Sequence, residues 1–258
     1  MKKRVIMPVL MSLLIFMQLA AQQPEALEIM GRSRDLTLTG SMSADIHMSI
    51  TEKKGSSRYR TIEMTSKEYQ DGQEKRFIKF LEPADVRGTA MLIIDNKNIA
   101  DEMWIYLPAL KKTRRIVSSE KGKSFMSSEF SNADMSSPTV TDFRYKHLEL
   151  SGSNNQWIIE SIPMNDGKAD EYGYSRKISY ISIDRCQVLK MEFYNFDNEL
   201  YKTIEIKSIY PLPDGKFIIK DMIANNIMTN RKSEIVMSNI SEGTKVDDSV
   251  FTLQNLER

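Results

Sequence analysis

From Met42 to Ile50, apolar and polar side chains take turns: Met42, Ala44, Ile46, Met48 and Ile50 alternate with Ser43, Asp45, His47 and Ser49. Successive side chains of a strand point to opposite faces, so this run predicts a strand with one buried and one wet face. Shorter strand-like runs follow at Arg76–Leu81, Thr89–Ile94, Met103–Leu107, Thr113–Val117, Gln156–Ser161 and Arg176–Ile183. The last third adds Val188–Tyr194, Leu200–Ile209, Lys216–Ile223 and Ser233–Ile240. Lys54-Gly55, Asp71-Gly72, Asp166-Gly167 and Asp214-Gly215 mark reversals, because glycine supplies the positive φ of tight hairpin turns. Phe196–Glu199 reads as another. Helical periodicity is almost confined to Pro24–Arg34, where Pro24 suits a first turn and Ala26, Leu27, Ile29 and Met30 form a narrow apolar stripe.

About ten strands at hairpin spacing predict a mainly β, antiparallel fold, a meander or barrel-like sheet with a few short helices. Twist accumulates from strand to strand, so a sheet of this width curls and acquires a concave face. No internal repeat, low-complexity tract or linker divides the chain. The least regular stretch is Ser118–Pro138, rich in serine yet carrying Phe125, Met126, Phe130 and Met135. It reads either as a loop packed over the core or as a helical flap whose apolar residues plug or line the mouth of a cavity.

The N-terminus adds an address. Lys2, Lys3 and Arg4 precede an apolar run from Val5 to Ala21, broken by Pro8, Ser12 and Gln18, with small residues Ala20 and Ala21 at its exit. That order predicts a cleavable secretory signal over residues 1–21, leaving one domain over 22–258 on the far side of the membrane. An uncleaved anchor is the competing reading, but a spanning helix wants ~20 strongly apolar residues. No cysteine stands at the exit to be acylated. Cys186 is the single cysteine, so no internal disulfide forms and the core must hold the fold.

Charge and motifs narrow the function further. The chain has 36 basic and 35 acidic residues, and the signal takes three of the basic ones. A near-neutral balance argues against nucleic acid, whose phosphates call for a clustered positive surplus. His47 and His147 are the only histidines, a hundred residues apart, so no Cys/His metal spacing exists. G-x-S-x-G, P-loop and G-x-G-x-x-G signatures are missing, and nothing implies catalysis or a cofactor. Seventeen methionines are either ordinary core fillers or a pliable lining for ligands of varied shape. In Lys111-Lys112-Thr113-Arg114-Arg115 the two arginines must point to opposite faces of a strand. The cluster is either a solvated edge that discourages aggregation or a contact for lipid headgroups or an acidic partner.

One region matches a known pattern. Phe80-Leu81-Glu82-Pro83-Ala84-Asp85-Val86-Arg87-Gly88-Thr89-Ala90-Met91-Leu92 resembles the F-x-x-P-x-D-x-x-G-T-x-x-L signature of LolA-like outer-membrane lipoprotein-sorting proteins. The subgroup it resembles most is the one associated with exporters of the resistance–nodulation–division (RND) type. Trp104-Ile105-Tyr106-Leu107-Pro108 with Arg114-Arg115-Ile116 is similar to that subgroup's next block. Ser124-Phe125-Met126, Phe130 and Asp134 resemble the one after, with Ser127 where glycine is usual, and Phe251 to Leu256 fits the F-x-x-x-x-L ending. The resemblance implies an incomplete, strongly curved antiparallel barrel closed by short helices, with an apolar cavity for acyl chains.

The combined expectation is a soluble periplasmic carrier of lipids or lipoprotein acyl chains, not an enzyme, that exchanges cargo with a membrane complex such as an RND-type exporter. Met91, Leu92, Ile94, Trp104, Tyr106, Phe125, Met126 and Phe130 are the candidate lining residues. Arg114 or Arg115 is the candidate headgroup or partner contact. A slip of one residue in strand phase reverses which of them point inward. Two rivals remain: a non-carrying accessory or sensor subunit of an RND-type exporter, and a lipid hydrolase without a recognisable nucleophile motif.

Overall fold

The computed structural model describes residues 24–37, 40–96, 99–148 and 155–258. The expected signal over 1–21 lies outside them. Helix α1 spans Ala26–Asp35. The first strands are β1 Met42–Thr51, β2 Ser57–Glu68, β3 Glu74–Glu82, β4 Ala90–Asp95, β5 Glu102–Leu107 and β6 Lys112–Arg115. After a short helix, α2 Ser118–Lys121, come β7 Phe143–His147, β8 Gln156–Pro163 and helix α3 Asp166–Tyr172. The remaining strands are β9 Arg176–Ser182, β10 Val188–Tyr194, β11 Leu200–Pro211, β12 Phe217–Asn226 and β13 Arg231–Glu242, followed by α4 Leu253–Leu256.

Thirteen strands make one antiparallel sheet in the order β6-β5-β4-β3-β2-β1-β13-β12-β11-β10-β9-β8-β7. Two meanders therefore meet at the ladder between β1 and β13, where Met48 faces Ile235. The predicted strands all form, to within a few residues. Strands β2 and β7 are additions that hydrophobic pattern did not reveal. The inward positions of β2 are Arg60, Ile62, Met64 and Ser66, so its buried row is polar at both ends. Asp166-Gly167 is corrected from a hairpin turn to the start of α3. Asn165 caps that helix by accepting from the Lys168 N–H at 3.0 Å, and an Asn cap outranks the Gly signal.

The alternation of β1 is realised in full, with Met42, Ala44, Ile46, Met48 and Ile50 all buried. These residues join a single core with Ile78 and Phe80 of β3 and Met103 of β5, and also with Phe193 of β10 and Ile204 of β11. Strands so far apart in the sheet share one core only because the sheet bends round on itself. Register shifts in the pairings of β1 with β13 and of β11 with β12 add local twist to that bend. Each of these large side chains contributes about 1.5–3 kcal/mol on full burial.

The chain leaves one sheet edge at β6 and re-enters at the other, β7, through residues 116–142. That segment crosses the concave face. Phe125 and Phe130 are fully buried, and the Phe125 ring lies 5.9 Å from that of Phe80. Ionic contacts fasten it along its length: Lys121 to Glu171 at 2.7 Å, Glu129 to Arg231 at 3.0 Å and Asp134 to Lys202 at 2.7 Å. Helix α1 closes the other side, its Ala26 and Ile29 packed with Ile159, Ile181 and Cys186.

Candidate functional site

Between α1, the crossing segment and the bent sheet lies a cavity of about 290 Å³. Methionines supply much of its wall: Met42 and Met64 from β1 and β2, Met191 from β10, Met222 and Met237 from β12 and β13. Aromatic rings close one end. Phe143 lies 4.6 Å from Tyr172, and Tyr174 lies edge-on to Phe193 at 5.3 Å. The period of two places these residues: alternate positions on neighbouring strands share a face, and the bend turns that face into a container.

Polar groups interrupt this wall at the α1 end, through Ser33, Arg34 and Thr37, and in two clusters on the sheet. At the first, Arg76 of β3 donates to both oxygens of Glu74, at 2.9 and 3.2 Å, and to Asp95 of β4 at 2.7 Å. It also donates to the Met135 carbonyl at 2.5 Å and the Ser137 hydroxyl at 3.0 Å, binding the crossing segment to the sheet. Burial, with Asp101 and Glu74 adding negative field, pushes the Asp95 carboxyl up to about 7 although Arg76 opposes the shift. At the second, Lys177 and Ser179 of β9 reach the cavity wall. Burial pushes the Lys177 ammonium down to about 8. Burial likewise holds the Tyr172 and Tyr174 phenols well above their ordinary value, and Tyr172 donates to Asp142 at 2.9 Å.

Of the lining residues expected from sequence, Phe130 lies on this cavity. Met91 and Met126 face a smaller hollow of about 170 Å³, together with Arg114 and Ile116. Phe125 packs in the core against Phe80. Leu92, Ile94, Trp104 and Tyr106 instead turn to the outer face. There Leu92 pairs with Phe77 and Trp104, and the patch is covered by Phe251 and Leu256 of the C-terminal segment. The inward row of β4 and β5 is Met91, Ile93, Met103 and Ile105. Arg114 sits opposite Ile105 on the concave side and binds Glu120 at 2.7 Å. Arg115 sits opposite Trp104, about half exposed, with Glu102 at 4.0 Å.

Sequence reasoning missed Met64, Met191, Met222, Met237 and the aromatic end wall. Met42 was legible as part of the apolar face of β1, and methionine abundance was the available signal for the rest. Among the described residues, no group of three or more His, Cys, Asp or Glu is placed to hold a metal ion. No helix among them is long and apolar enough to cross a membrane.

No curated protein matches the sequence. Among crystal structures, the chain is similar to a domain from Vibrio parahaemolyticus named for outer membrane lipoprotein sorting. The two are 28% identical with a TM-score of 0.81, over 90% of this chain and 98% of the other. A DUF1329 family protein from Desulfovibrio piger is 27% identical, with a TM-score of 0.79 over 90% and 97% of the two chains. A LolA superfamily protein from Nitrosomonas europaea, 16% identical, shares the fold with a TM-score of 0.69 over 90% of this chain and all of the other. The fold is therefore LolA-like. The model of a family described as "Uncharacterized protein" matches residues 72–258, and the chain belongs to that family.

Proposed function

We propose that this protein is a periplasmic carrier that shelters a lipid or a lipoprotein acyl chain in the cavity beneath its sheet. The cavity carries the reading: a methionine- and aromatic-lined space of about 290 Å³, close to the lower end of the ~300–1,000 Å³ usual for ligand pockets. A space of that size suits one hydrocarbon chain. Each buried methylene is worth about 0.8 kcal/mol, so a chain of ten or more carbons gains several kcal/mol by leaving water. Methionine side chains adapt to different chain shapes and permit release as well as capture.

Two further observations support the assignment. The Vibrio parahaemolyticus domain, at 28% identity over nearly its full length, is named for outer membrane lipoprotein sorting. The N-terminal pattern of Lys2 to Ala21 fits export by a cleavable signal, so that the mature protein starts at Gln22. Such a protein is a carrier rather than an enzyme. The resemblance at Phe80–Leu92 and Trp104–Ile116 makes an RND-type exporter the membrane partner to test.

Native mass spectrometry of the protein purified from the periplasm of its own source tests the carrier reading. The expected spectrum contains the mature chain plus masses of co-purified acyl species. Consistently bare protein that also takes up no added fatty acid or alcohol would overturn the reading.

A further inference from the structure

One side chain on the cavity wall has no reason to be there if the cavity only receives hydrocarbon. Lys177 of β9 is 7% exposed. Among the described residues, its ammonium meets no carboxylate within ion-pair range and no hydrogen-bond acceptor; its contact is with the Phe143 ring, 5.7 Å from the centroid. Asp134, the acid whose field reaches it, is held by Lys202 at 2.7 Å. A buried charge without a counter-charge is costly, and a methionine or leucine would fill the same place at lower cost.

The surroundings of Lys177 repeat the pattern. Ser179 stands two residues along the same strand, on the same face, and also reaches the cavity. Ser161 of β8 stands directly opposite Lys177 in the strand pairing. Both serines are completely buried, and neither Oγ has a hydrogen-bond partner among the described residues. Cross-strand neighbours lie about 5 Å apart, so one cation and two hydroxyls stand together without partners on one face of β8 and β9. The other polar cluster on the sheet is different. Arg76 already binds Glu74, Asp95, Met135 and Ser137, so its charge is met by two carboxylates.

We propose that the cavity's ligand is a single-chain amphiphile with a carboxylate headgroup, a free fatty acid in chemical class. The carboxylate pairs with Lys177 and accepts from Ser179, while the tail lies against Met191, Phe193 and Met222. This inference rests on the carrier reading above. One cation balances one carboxylate. Lys202 is neutralised by Asp134 and adds no free charge beside Lys177. A neutral acylglycerol or lipoprotein anchor would leave the ammonium buried and unpaired. The cavity's size also favours one chain over the two of a phospholipid.

Isothermal titration of the delipidated mature protein with decanoate and with decanol separates headgroup from tail. The expected result is decanoate binding at least about tenfold tighter than decanol, the scale of a charge-assisted hydrogen bond. Lys177→Met is expected to abolish that preference while binding decanol at least as well as the parent. Lys177→Arg should keep the preference, and Ser179→Ala should reduce it. Equal affinities for the two ligands in the parent protein, or a preference that survives in Lys177→Met, would overturn the carboxylate assignment and leave the carrier intact. Failure to bind either ligand would instead remove the carrier reading, and this inference with it. The parent comparison needs no variant, so a variant that fails to fold does not rescue the idea.

Discussion

Arg76 serves two carboxylates at once, and one of them is left short. Both Glu74 oxygens receive a hydrogen bond from it, whereas Asp95 receives one on Oδ2 and its buried Oδ1 has no partner. Burial, reinforced by Asp101 and Glu74, therefore pushes Asp95 up to about 7 from its ordinary 3.8. The folded protein holds this proton up to about pH 7, while the unfolded chain releases it near 4. Between those values the folded state binds more protons, so its stability at this site falls as pH rises across the window. Asp95→Asn keeps an oxygen for Arg76 and the Ser137 N–H but cannot ionise. Urea unfolding at pH 5 and pH 8 is expected to show the variant gaining on the parent at the higher pH, by at most about 1.4 kcal/mol per unit within the window. A parallel pH dependence in both proteins would mean that Asp95 is ionised throughout. None of this was legible in the sequence, because Glu74, Arg76 and Asp95 come together only through the pairing of β3 with β4.

Among the elements, the crossing segment and β4 show where pattern reading works and where it stops. The serine-rich run Ser118–Pro138 stood out because four large apolar residues contradict an ordinary exposed loop. The structure shows a loop packed on the core through Phe125, with Phe130 on the cavity and helical turns only at Ser118–Lys121 and Ala133–Met135, so it is not a helical flap. Strand β4 is the opposite case. Ala90, Met91, Leu92 and Ile93 are all buried, because the C-terminal segment covers the outer face while the core fills the inner one. A strand buried on both sides has no alternation, so its phase cannot be read and Leu92 was as eligible as Met91. At the turn of the crossing segment, Met126 and Ser127 adopt φ of 49° and 65° in succession. Glycine adopts such a φ at the second position without the steric cost that serine bears. Ser127 is exposed, its hydroxyl bonds to nothing among the described residues, and its carbonyl accepts from Arg231 whatever the side chain. Relief of left-handed strain, offset by the chain entropy of glycine, leaves Ser127→Gly more stable by roughly 0.5–1 kcal/mol. Thermal or urea unfolding measures this, and an unchanged or lower stability would show that the turn carries no strain.

At the scale of the molecule, the antiparallel direction of the strands and eleven of the thirteen followed from period and turn residues, but β2, β7 and the strand order did not. The ladder of β1 with β13 joins residues nearly two hundred positions apart, and no local signal announces it. Yet that ladder makes the cavity, because it brings Met42 and Met64 from one meander to face Met191, Met222 and Met237 from the other. A ligand held there touches both meanders, α1 and the crossing segment together, and leaves the outer patch of Leu92, Trp104, Phe251 and Leu256 untouched. Hydrogen exchange distinguishes the two faces, since binding slows the local openings of the segments it bridges. Saturating decanoate is expected to slow exchange in β9–β12 and in residues 130–138, with little change over 246–256. The edge strand β6, four residues long and mostly exposed, should exchange fast with or without ligand. Protection confined to 246–256 and the facing strands β3–β5 would move the ligand to the outer patch. It would also restore Leu92, Ile94, Trp104 and Tyr106 as its contacts, and leave Lys177 as a buried charge without a purpose in binding.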